Sequence, residues 1–263
     1  MLDRTLAALD AAIACAAAGG LIGEAAVTIV DNDTAAGAPV AAAYALPFPA
    51  ESTAAWLRRA GQGNIGYGGG HNLVLREREA DVYLVLNPDA VLAREALLRG
   101  LTYLRDTPPC GLVAPFAAGP DGAPQFLCKR YPDVLTLKLR AIAPKSIRHW
   151  FARRLARYEL RDVVGAAAEK PATGVPLASG CCMLLRGDAV RRTQGFDPAF
   201  FVYFEDYDLS LRLAVEGASR IDYVPAMRIV HYGGNAAKKS LAHIRMFAAG
   251  ALRFFNKHGW RFA

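Results

Sequence analysis

Short apolar runs alternate with segments of helical spacing along most of the chain. The clearest run, 81–86 (DVYLVL), predicts a buried strand that stops at Pro88, which has no N–H for a sheet ladder. Strands that alternate with helices predict an α/β fold with a mainly parallel central sheet flanked by helices. The other predicted strands are 25–30, 111–115, 177–186, 219–224 and 227–230, and the predicted helices are 3–18, 51–59, 93–105, 206–215 and 240–255.

The segment 62–72 interrupts this pattern with five glycines and predicts a loop. Its glycines suggest a phosphate-binding loop, but the spacing Gly66-x-Gly68-x-Gly70 matches neither G-x-x-x-x-G-K-[ST] nor G-x-G-x-x-G. The Walker ATPases are therefore excluded, and Rossmann dinucleotide binding is disfavoured.

Composition indicates a folded, basic protein. Of 263 residues, 53% are hydrophobic and 21% charged, and the formal net charge is +7. Nucleic acid, nucleoside diphosphates and anionic lipid headgroups all fit that sign. The chain lacks an interleaved aromatic and basic motif and a recognisable recognition helix, so we expect no nucleic-acid partner.

Cysteine usage and hydropathy indicate the compartment. The five cysteines form no C-x-x-C pair, which argues against a zinc site or a disulfide framework and favours a reducing compartment. We find no apolar run of about 20 residues and no signal peptide at the N-terminus. We expect a cytoplasmic protein, with contact to the inner face of a membrane left open.

The segment 129–161 is strongly basic. It carries ten lysines and arginines against two acids, Asp133 and Glu159. One interpretation is a solvated helical face. The other is an arm that contacts a phosphate-bearing acceptor or an anionic membrane surface.

Asp89 is the first candidate for chemistry. A carboxylate that directly follows a buried strand is well placed to offer oxygen to Mg²⁺ or Mn²⁺. The alternative is an Asn-Pro-Asp turn that merely caps the strand. His231 ends another predicted strand and is followed by two glycines after Tyr232. It is either a structural histidine or a second ligand for the same divalent ion.

Three acids, Glu205, Asp206 and Asp208, lie within four positions among five aromatic residues. Acids beside apolar rings are partly desolvated, which raises their pKa towards that of a base useful near neutral pH. The alternative is that they cap the helix that follows. We assign the role of general base to Asp206 and a capping role to Asp208.

In this order the motifs resemble the inverting glycosyltransferases of family 2, which have the GT-A fold. The resemblance is closest to the rhamnosyltransferase-like branch that builds bacterial surface polysaccharides such as O-antigen. The residues that carry it are SGCCMLLR at 179–186, GFDPAFF at 195–201, EDYDL at 205–209, and Arg212. It covers the chain from Val27 to about Gly259.

The resemblance implies roles for individual residues. Asp206 matches the catalytic base, and Glu205 beside it would help to hold the acceptor. Asn87 and Asp89 correspond to the D-x-D metal motif, with Asn in the first place, so that Asp89 is the main ligand. The remaining implied contacts are Asp31 with the nucleobase, Asn64 and Gly66 in the nucleotide pocket, and His231 with the metal or the diphosphate.

The resemblance also implies one GT-A domain over 1–263. Its nucleotide-binding half would be 1–115, its basic insertion 116–176, and its acceptor and catalytic half 177–263. The expected activity is that of a hexosyltransferase that uses Mg²⁺ or Mn²⁺. It would move rhamnose or a related hexose from a dTDP- or UDP-linked donor to a polysaccharide or lipid-linked glycan.

One departure from the family pattern leaves an alternative open. Members begin with a hydrophobic strand that ends in a Thr-Tyr-Asn-like turn, whereas this sequence begins at the helix expected next, so the fold is expected to lack that strand. The segment 40–46 is a candidate to replace it. A catalytically impaired protein of the same fold, which binds nucleotide sugars or glycans, is the second hypothesis.

Overall fold

A computed structural model describes residues 1–32, 52–164, 169–233 and 241–263 of the chain. The candidate replacement strand at 40–46 lies outside these ranges. The helices are α1 (Leu2–Ala18), α2 (Tyr67–Leu75), α3 (Ala96–Asp106), α4 (Val134–Ile142), α5 (Lys145–Trp150), α6 (Ala152–Tyr158), α7 (Gly187–Thr193), α8 (Glu205–Val215) and α9 (Leu241–His258). The strands are β1 (Ala26–Val30), β2 (Ala55–Arg59), β3 (Val82–Leu86), β4 (Ala90–Leu92), β5 (Cys110–Ala118), β6 (Pro124–Gln125), β7 (Cys128–Lys129), β8 (Ala172–Thr173), β9 (Leu177–Ala178), β10 (Cys182–Arg186) and β11 (Arg220–His231).

The main sheet of the described chain has the order β3-β10-β5-β11-β4, with β6 beside β5 and β8 beside β11. The prediction of an α/β fold with a central sheet is confirmed. The prediction of a mainly parallel sheet is wrong, because only β5 and β11 pair in parallel. The cause is β10, which enters between β3 and β5 and runs against both of them.

Two local predictions near the N-terminus are also wrong. Part of the predicted helix 51–59 forms strand β2, which pairs in parallel with β1 from Ala26↔Ala55 to Val30↔Arg59. The predicted loop 62–72 ends at Gly66, where α2 begins. In both places contacts with distant parts of the chain override local propensity.

Two predicted elements near the catalytic motifs are divided differently. The predicted strand 177–186 is β9 and β10, separated by a break at Ser179–Cys181. The two predicted strands at 219–230 are one strand, β11, with an irregular register between Val224 and Arg228.

Apolar residues cover both faces of the main sheet. One cluster joins α1 and α3 to the sheet through Leu9, Ile13 and Leu97, and another joins α7 and α8 through Val190 and Leu209. A third, aromatic cluster packs α9 against the start of α8 and against α4. The start of α8 is therefore held between the sheet and the C-terminal helix.

The basic segment folds into α4, α5 and α6. Asp133 caps α4, since its carboxylate accepts a hydrogen bond from the Thr136 backbone N–H at 2.7 Å. Among the described helices, none is both long and apolar enough to cross a bilayer.

Candidate active site

Asp89 and His231 meet where β4 pairs with the end of β11. Ala90 and His231 are partners in that antiparallel ladder, and the Tyr232 N–H donates to the Asp89 carbonyl at 2.9 Å. The His231 Nε2 atom consequently lies 3.5 Å from Asp89 Oδ1. Two residues 142 positions apart in the sequence share one edge of the sheet.

Gln125 fixes the tautomer of His231. Its side-chain N–H donates to the His231 backbone carbonyl at 3.0 Å, so the amide oxygen is the atom that faces His231 Nδ1 at 2.7 Å. Because an amide oxygen only accepts, Nδ1 carries the hydrogen. In the neutral ring the lone pair is then on Nε2, which faces Asp89. A histidine whose far nitrogen donates to a carbonyl group is the usual arrangement of a metal ligand.

These residues fit a divalent cation. Asp89 Oδ1 and Asn87 Oδ1 are buried and have no hydrogen-bond donor within the described chain. A Cβ atom at Gly233 would lie 2.4 Å from His231 Nε2 and 2.7 Å from Asp89 Oδ2, so glycine keeps the space between them open. In the described ranges, no group of three or more His, Cys, Asp or Glu side chains is arranged so that it could hold a metal ion by itself. A cation here would need further oxygen ligands from substrate or water.

Glu205 and Asp206 begin α8, directly after a turn with unusual backbone angles. Tyr203 and Phe204 both have positive φ, 68° and 70°, which few residues other than glycine adopt. The turn places Glu205 and Asp206 in the first turn of the helix, where the helix dipole favours negative charge. Packing of Phe204 in the aromatic cluster holds this conformation.

The carboxylates of Asp206 and Glu205 differ in their hydrogen bonds and in their pKa. Asp206 Oδ2 accepts from the Gly180 N–H at 2.9 Å and Oδ1 from the Tyr207 N–H at 2.8 Å. Burial raises the pKa of Asp206, and these two hydrogen bonds oppose the rise. Glu205 Oε2 is buried without a donor in the described chain, and burial together with the Asp206 charge raises the Glu205 pKa further.

The break between β9 and β10 connects the base to the Asp89 turn. Gly180 donates to Asp206, and the next residue, Cys181, accepts from the Asn87 N–H at 2.9 Å. Burial raises the pKa of the Cys181 thiol, and the charges of Asp89 and Asp206 both add to the rise. The hydrogen bonds of Gly180 and Cys181 thus place Asp206 and the Asp89 turn beside the same break in the sheet.

Tyr67 supports the same region from α2. Its hydroxyl donates to the Gly180 carbonyl at 2.5 Å, and its N–H donates to the Phe201 carbonyl at 2.9 Å. Gly66 before it has φ +81°, and a Cβ atom there would lie 2.2 Å from the Phe201 carbonyl oxygen. Tyr67 and Gly66 therefore lock α2 onto the turn that precedes the two acids.

The residues expected to bind the nucleotide form a group around the ends of β1 and β2. Asn64 Oδ1 accepts from the Gly66 N–H at 3.1 Å, and Asn32 donates to the Gly66 carbonyl at 2.9 Å. Asp31 forms an ion pair with Arg58 at 2.5 Å. Gly66 lies against the Phe201 carbonyl in the turn before α8, so this group adjoins the region of Asp206.

Asp208 has a structural position. Its carboxylate is fully buried and contacts Arg212 at 2.7 Å, Lys257 at 2.6 Å and His258 at 2.8 Å. Two of these partners, Lys257 and His258, belong to α9. Asp208 therefore joins α8 to the C-terminal helix instead of serving as the cap of α8.

Comparisons with known proteins agree with this geometry, although no family model matches the sequence. The chain is 28% identical to Rhamnosyltransferase WbbL of Escherichia coli K12 over 187 residues, which are 65% of this chain and 62% of that protein. It is 25% identical to N-acetylglucosaminyl-diphospho-decaprenol L-rhamnosyltransferase of Mycobacterium tuberculosis H37Rv over 229 residues, 82% of this chain and 69% of that protein. Both relatives are rhamnosyltransferases, so the chain is similar in sequence to this class of glycosyltransferase.

The fold of this chain also occurs among solved structures. The crystal structure of GalNAc-T7 with UDP, GalNAc and Mn²⁺ matches with a TM-score of 0.50 and 11% identity, over 78% of this chain and 36% of that one. This likeness concerns the fold, which is of the GT-A type. The predicted resemblance to rhamnosyltransferases and the predicted fold are confirmed.

Three residues of the candidate site escaped the sequence analysis. Gly180 was visible within the quoted SGCC motif, and Tyr67 within the glycine-rich segment, but neither pattern indicates what its residue contacts. Gln125 gave no signal, since it lies on a two-residue strand whose partner, β5, sets its position.

Proposed function

We propose that this chain transfers a sugar from a nucleoside-diphosphate donor to a glycan acceptor, with inversion at the anomeric carbon and Asp206 as the general base. The observation that supports this most strongly is the arrangement around Gly180 and Cys181. One backbone segment there binds Asp206 on one side and the turn of Asn87 and Asp89 on the other. The proposed base and the proposed cation site thus adjoin the same break in the sheet.

Asp89 and His231 would hold Mg²⁺ or Mn²⁺, with Asn87 directed at the same region. When bound, such an ion neutralises the charge of the departing diphosphate. Asp206 accepts the proton of the acceptor hydroxyl, and its two backbone hydrogen bonds keep its oxygens aimed during that transfer. The acceptor oxygen then attacks on the face opposite the diphosphate, so a single displacement inverts the anomeric centre.

Glu205 and the nucleotide-end residues complete the assignment. The Oε2 atom of Glu205 has no donor in the described chain and would accept a hydrogen bond from an acceptor hydroxyl. Asp31, Asn64 and Gly66 would contact the nucleotide. Asp31 would have to share its ion pair with Arg58, which supports the second candidate, a protein that binds nucleotide sugars or glycans without efficient turnover.

The relatives suggest the substrates. Both are named as rhamnosyltransferases, and the mycobacterial one is named for a diphospho-decaprenol acceptor. We infer rhamnose or a related hexose on dTDP or UDP as the donor, and a polysaccharide or lipid-linked glycan as the acceptor. An enzyme of that kind would work in the cytoplasm at the inner face of a membrane.

The direct test is donor turnover. Wild-type protein is incubated with a panel of dTDP- and UDP-sugars, with excess Mn²⁺ or with EDTA, and release of nucleoside diphosphate is measured. We expect release only with the metal, and a loss of about 10²- to 10⁴-fold in Asp206→Asn. Asp188→Asn, which alters an exposed acid on α7, is the matched control.

Two results would reject the proposal. Equal turnover in Asp206→Asn would remove the base assignment. Tight donor binding without turnover for any donor or acceptor would favour the binding-protein alternative.

A further inference from the structure

Helix α5 and the first residue after it expose an apolar ridge. Ile147, Trp150 and Phe151 have the spacing i, i+3, i+4, which places them on one side of the helix. Their exposed fractions are 44%, 87% and 37%. Trp150 has no hydrogen bond or ring contact to any residue in the described ranges. The catalytic assignment above uses none of these side chains.

Cationic side chains surround this ridge. Residues 134–158 contain seven lysines and arginines and no acid. Arg140 and Arg154 are neutralised by Glu159 and Asp133, which flank the segment. Arg148 and Arg153, next to the ridge, are exposed and form no ion pair with any described residue. The ridge therefore combines an exposed apolar surface with positively charged side chains directly beside it.

The segment is also rigidly connected to the catalytic helix. Arg154 on α6 donates to the Thr136 hydroxyl at 2.9 Å and pairs with Asp133 at 2.8 Å, which ties α6 to α4. The Tyr158 hydroxyl lies 2.8 Å from the hydroxyl of Tyr207, the residue after the proposed base. A surface bound to the ridge would thus be held in a defined orientation relative to the active site.

We propose that α5 and Phe151 form a membrane-docking wedge for an anionic lipid bilayer. Large apolar side chains with tryptophan insert at the level of the headgroups, while arginines next to them bind lipid phosphates. The match of charge and apolar surface favours this partner over nucleic acid, which would leave Ile147 and Phe151 without a partner. The inference does not depend on sugar transfer, because lipid binding is measured without donor or acceptor.

Vesicle flotation tests the wedge. The full chain is mixed with vesicles of phosphatidylcholine alone, or of phosphatidylcholine and phosphatidylglycerol, and the bound fraction is measured. We expect binding only to the anionic vesicles. Arg148→Glu with Arg153→Glu should weaken it by at least fivefold for each charge, the equivalent of about 1 kcal/mol per basic residue at such a surface.

The apolar part of the ridge has its own variant and control. Trp150→Ser should weaken binding to the anionic vesicles by about tenfold or more. Val215→Ser removes another strongly exposed apolar side chain, 82% exposed at the end of α8, and should bind as wild type does. Circular dichroism of each variant verifies that it is folded.

The emission of Trp150 gives an independent readout. A blue shift on adding anionic vesicles is expected in wild type and should be absent in Trp150→Phe. The wedge is disproved if wild type does not float with anionic vesicles, if Trp150→Ser binds as well as wild type, or if only a DNA duplex is bound. Donor turnover by soluble Trp150→Ser is expected to be unchanged, which separates this inference from the proposed function.

Discussion

Glu205 and Asp206 are neighbours in the sequence, but their surroundings suit them to different tasks. Each oxygen of Asp206 accepts a backbone N–H, whereas Glu205 Oε2 accepts none from the described chain. The pKa of both groups is raised by burial, and more so for Glu205. Asp206 is therefore expected to ionise at a lower pH than Glu205, which the proposed role of general base requires.

Glu205→Gln should stabilise the fold at alkaline pH. A raised folded-state pKa means that the native protein holds its proton more tightly than the unfolded chain, so stability is lost as pH rises through that pKa. Glutamine is neutral at every pH and avoids this loss. We expect a gain on the order of 1–2 kcal/mol at pH 8.

Thermal denaturation of wild type and Glu205→Gln at several pH values measures this difference. The gain should shrink as the solution is acidified towards pH 5. A constant difference between the two proteins over this range would show that Glu205 ionises normally.

Gln125 should control metal affinity through His231. In Gln125→Leu the acceptor for Nδ1–H is lost, and the ring is free to change tautomer and turn away from Asp89. We expect Mn²⁺, titrated with a nucleoside diphosphate present, to bind about 10- to 100-fold more weakly. Gln125→Glu keeps an acceptor and should bind Mn²⁺ at least as well as wild type. Unchanged Mn²⁺ binding by Gln125→Leu would contradict this role.

At the scale of elements, the contact between α8 and α9 depends on Asp208. This buried carboxylate contacts Arg212 within α8, and Lys257 and His258 from α9. Asp208→Asn leaves Arg212 and Lys257 without their anion. Because Lys257 remains partly exposed to solvent, we expect a loss of about 2–3 kcal/mol. Urea denaturation followed by circular dichroism measures this loss, with Asp188→Asn as the control. Equal denaturation midpoints for wild type and Asp208→Asn would contradict this role of Asp208.

Elements with a strong local pattern were predictable. The apolar run of β3 and the acidic start of α8 define those elements without help from the rest of the chain. Strand β2 and helix α2 were not predictable. Residues 55–59 are good helix formers that pair with β1 instead. Helix α2 begins with Tyr-Gly-Gly-Gly, and Asn72 holds it by bonding the Phe196 N–H and carbonyl at 2.9 and 2.7 Å.

For the candidate site, the residue types could be predicted from the sequence, but the contacts between these residues could not. Asp89, Asp206 and His231 were chosen by residue type and by their position after strands or before a helix. The partners that orient them, Gln125 and Gly180, depend on which strands become neighbours. That order includes β10 between β3 and β5, which local patterning does not encode.

At the scale of the whole molecule, the site joins parts of the chain that are far apart in sequence. Asp89 lies in the turn between β3 and β4, His231 ends β11, and Asp206 lies on α8, between them in the sequence. The chain spans 62% of the length of the Escherichia coli relative. Cooperation of these segments is therefore a property to be measured on this chain itself.

Linked binding of metal and nucleotide measures that cooperation most directly. The melting temperature is recorded with Mn²⁺, with UDP or dTDP, and with both together, for wild type and for Asp89→Asn with His231→Gln. We expect both ligands together to stabilise wild type by about 2.7 kcal/mol at 100 times the dissociation constant, which is well beyond the sum of their separate effects. The double variant should keep its unliganded melting temperature and lose the excess. Additive effects in wild type, or the same excess in the double variant, would contradict a shared cation site at Asp89 and His231.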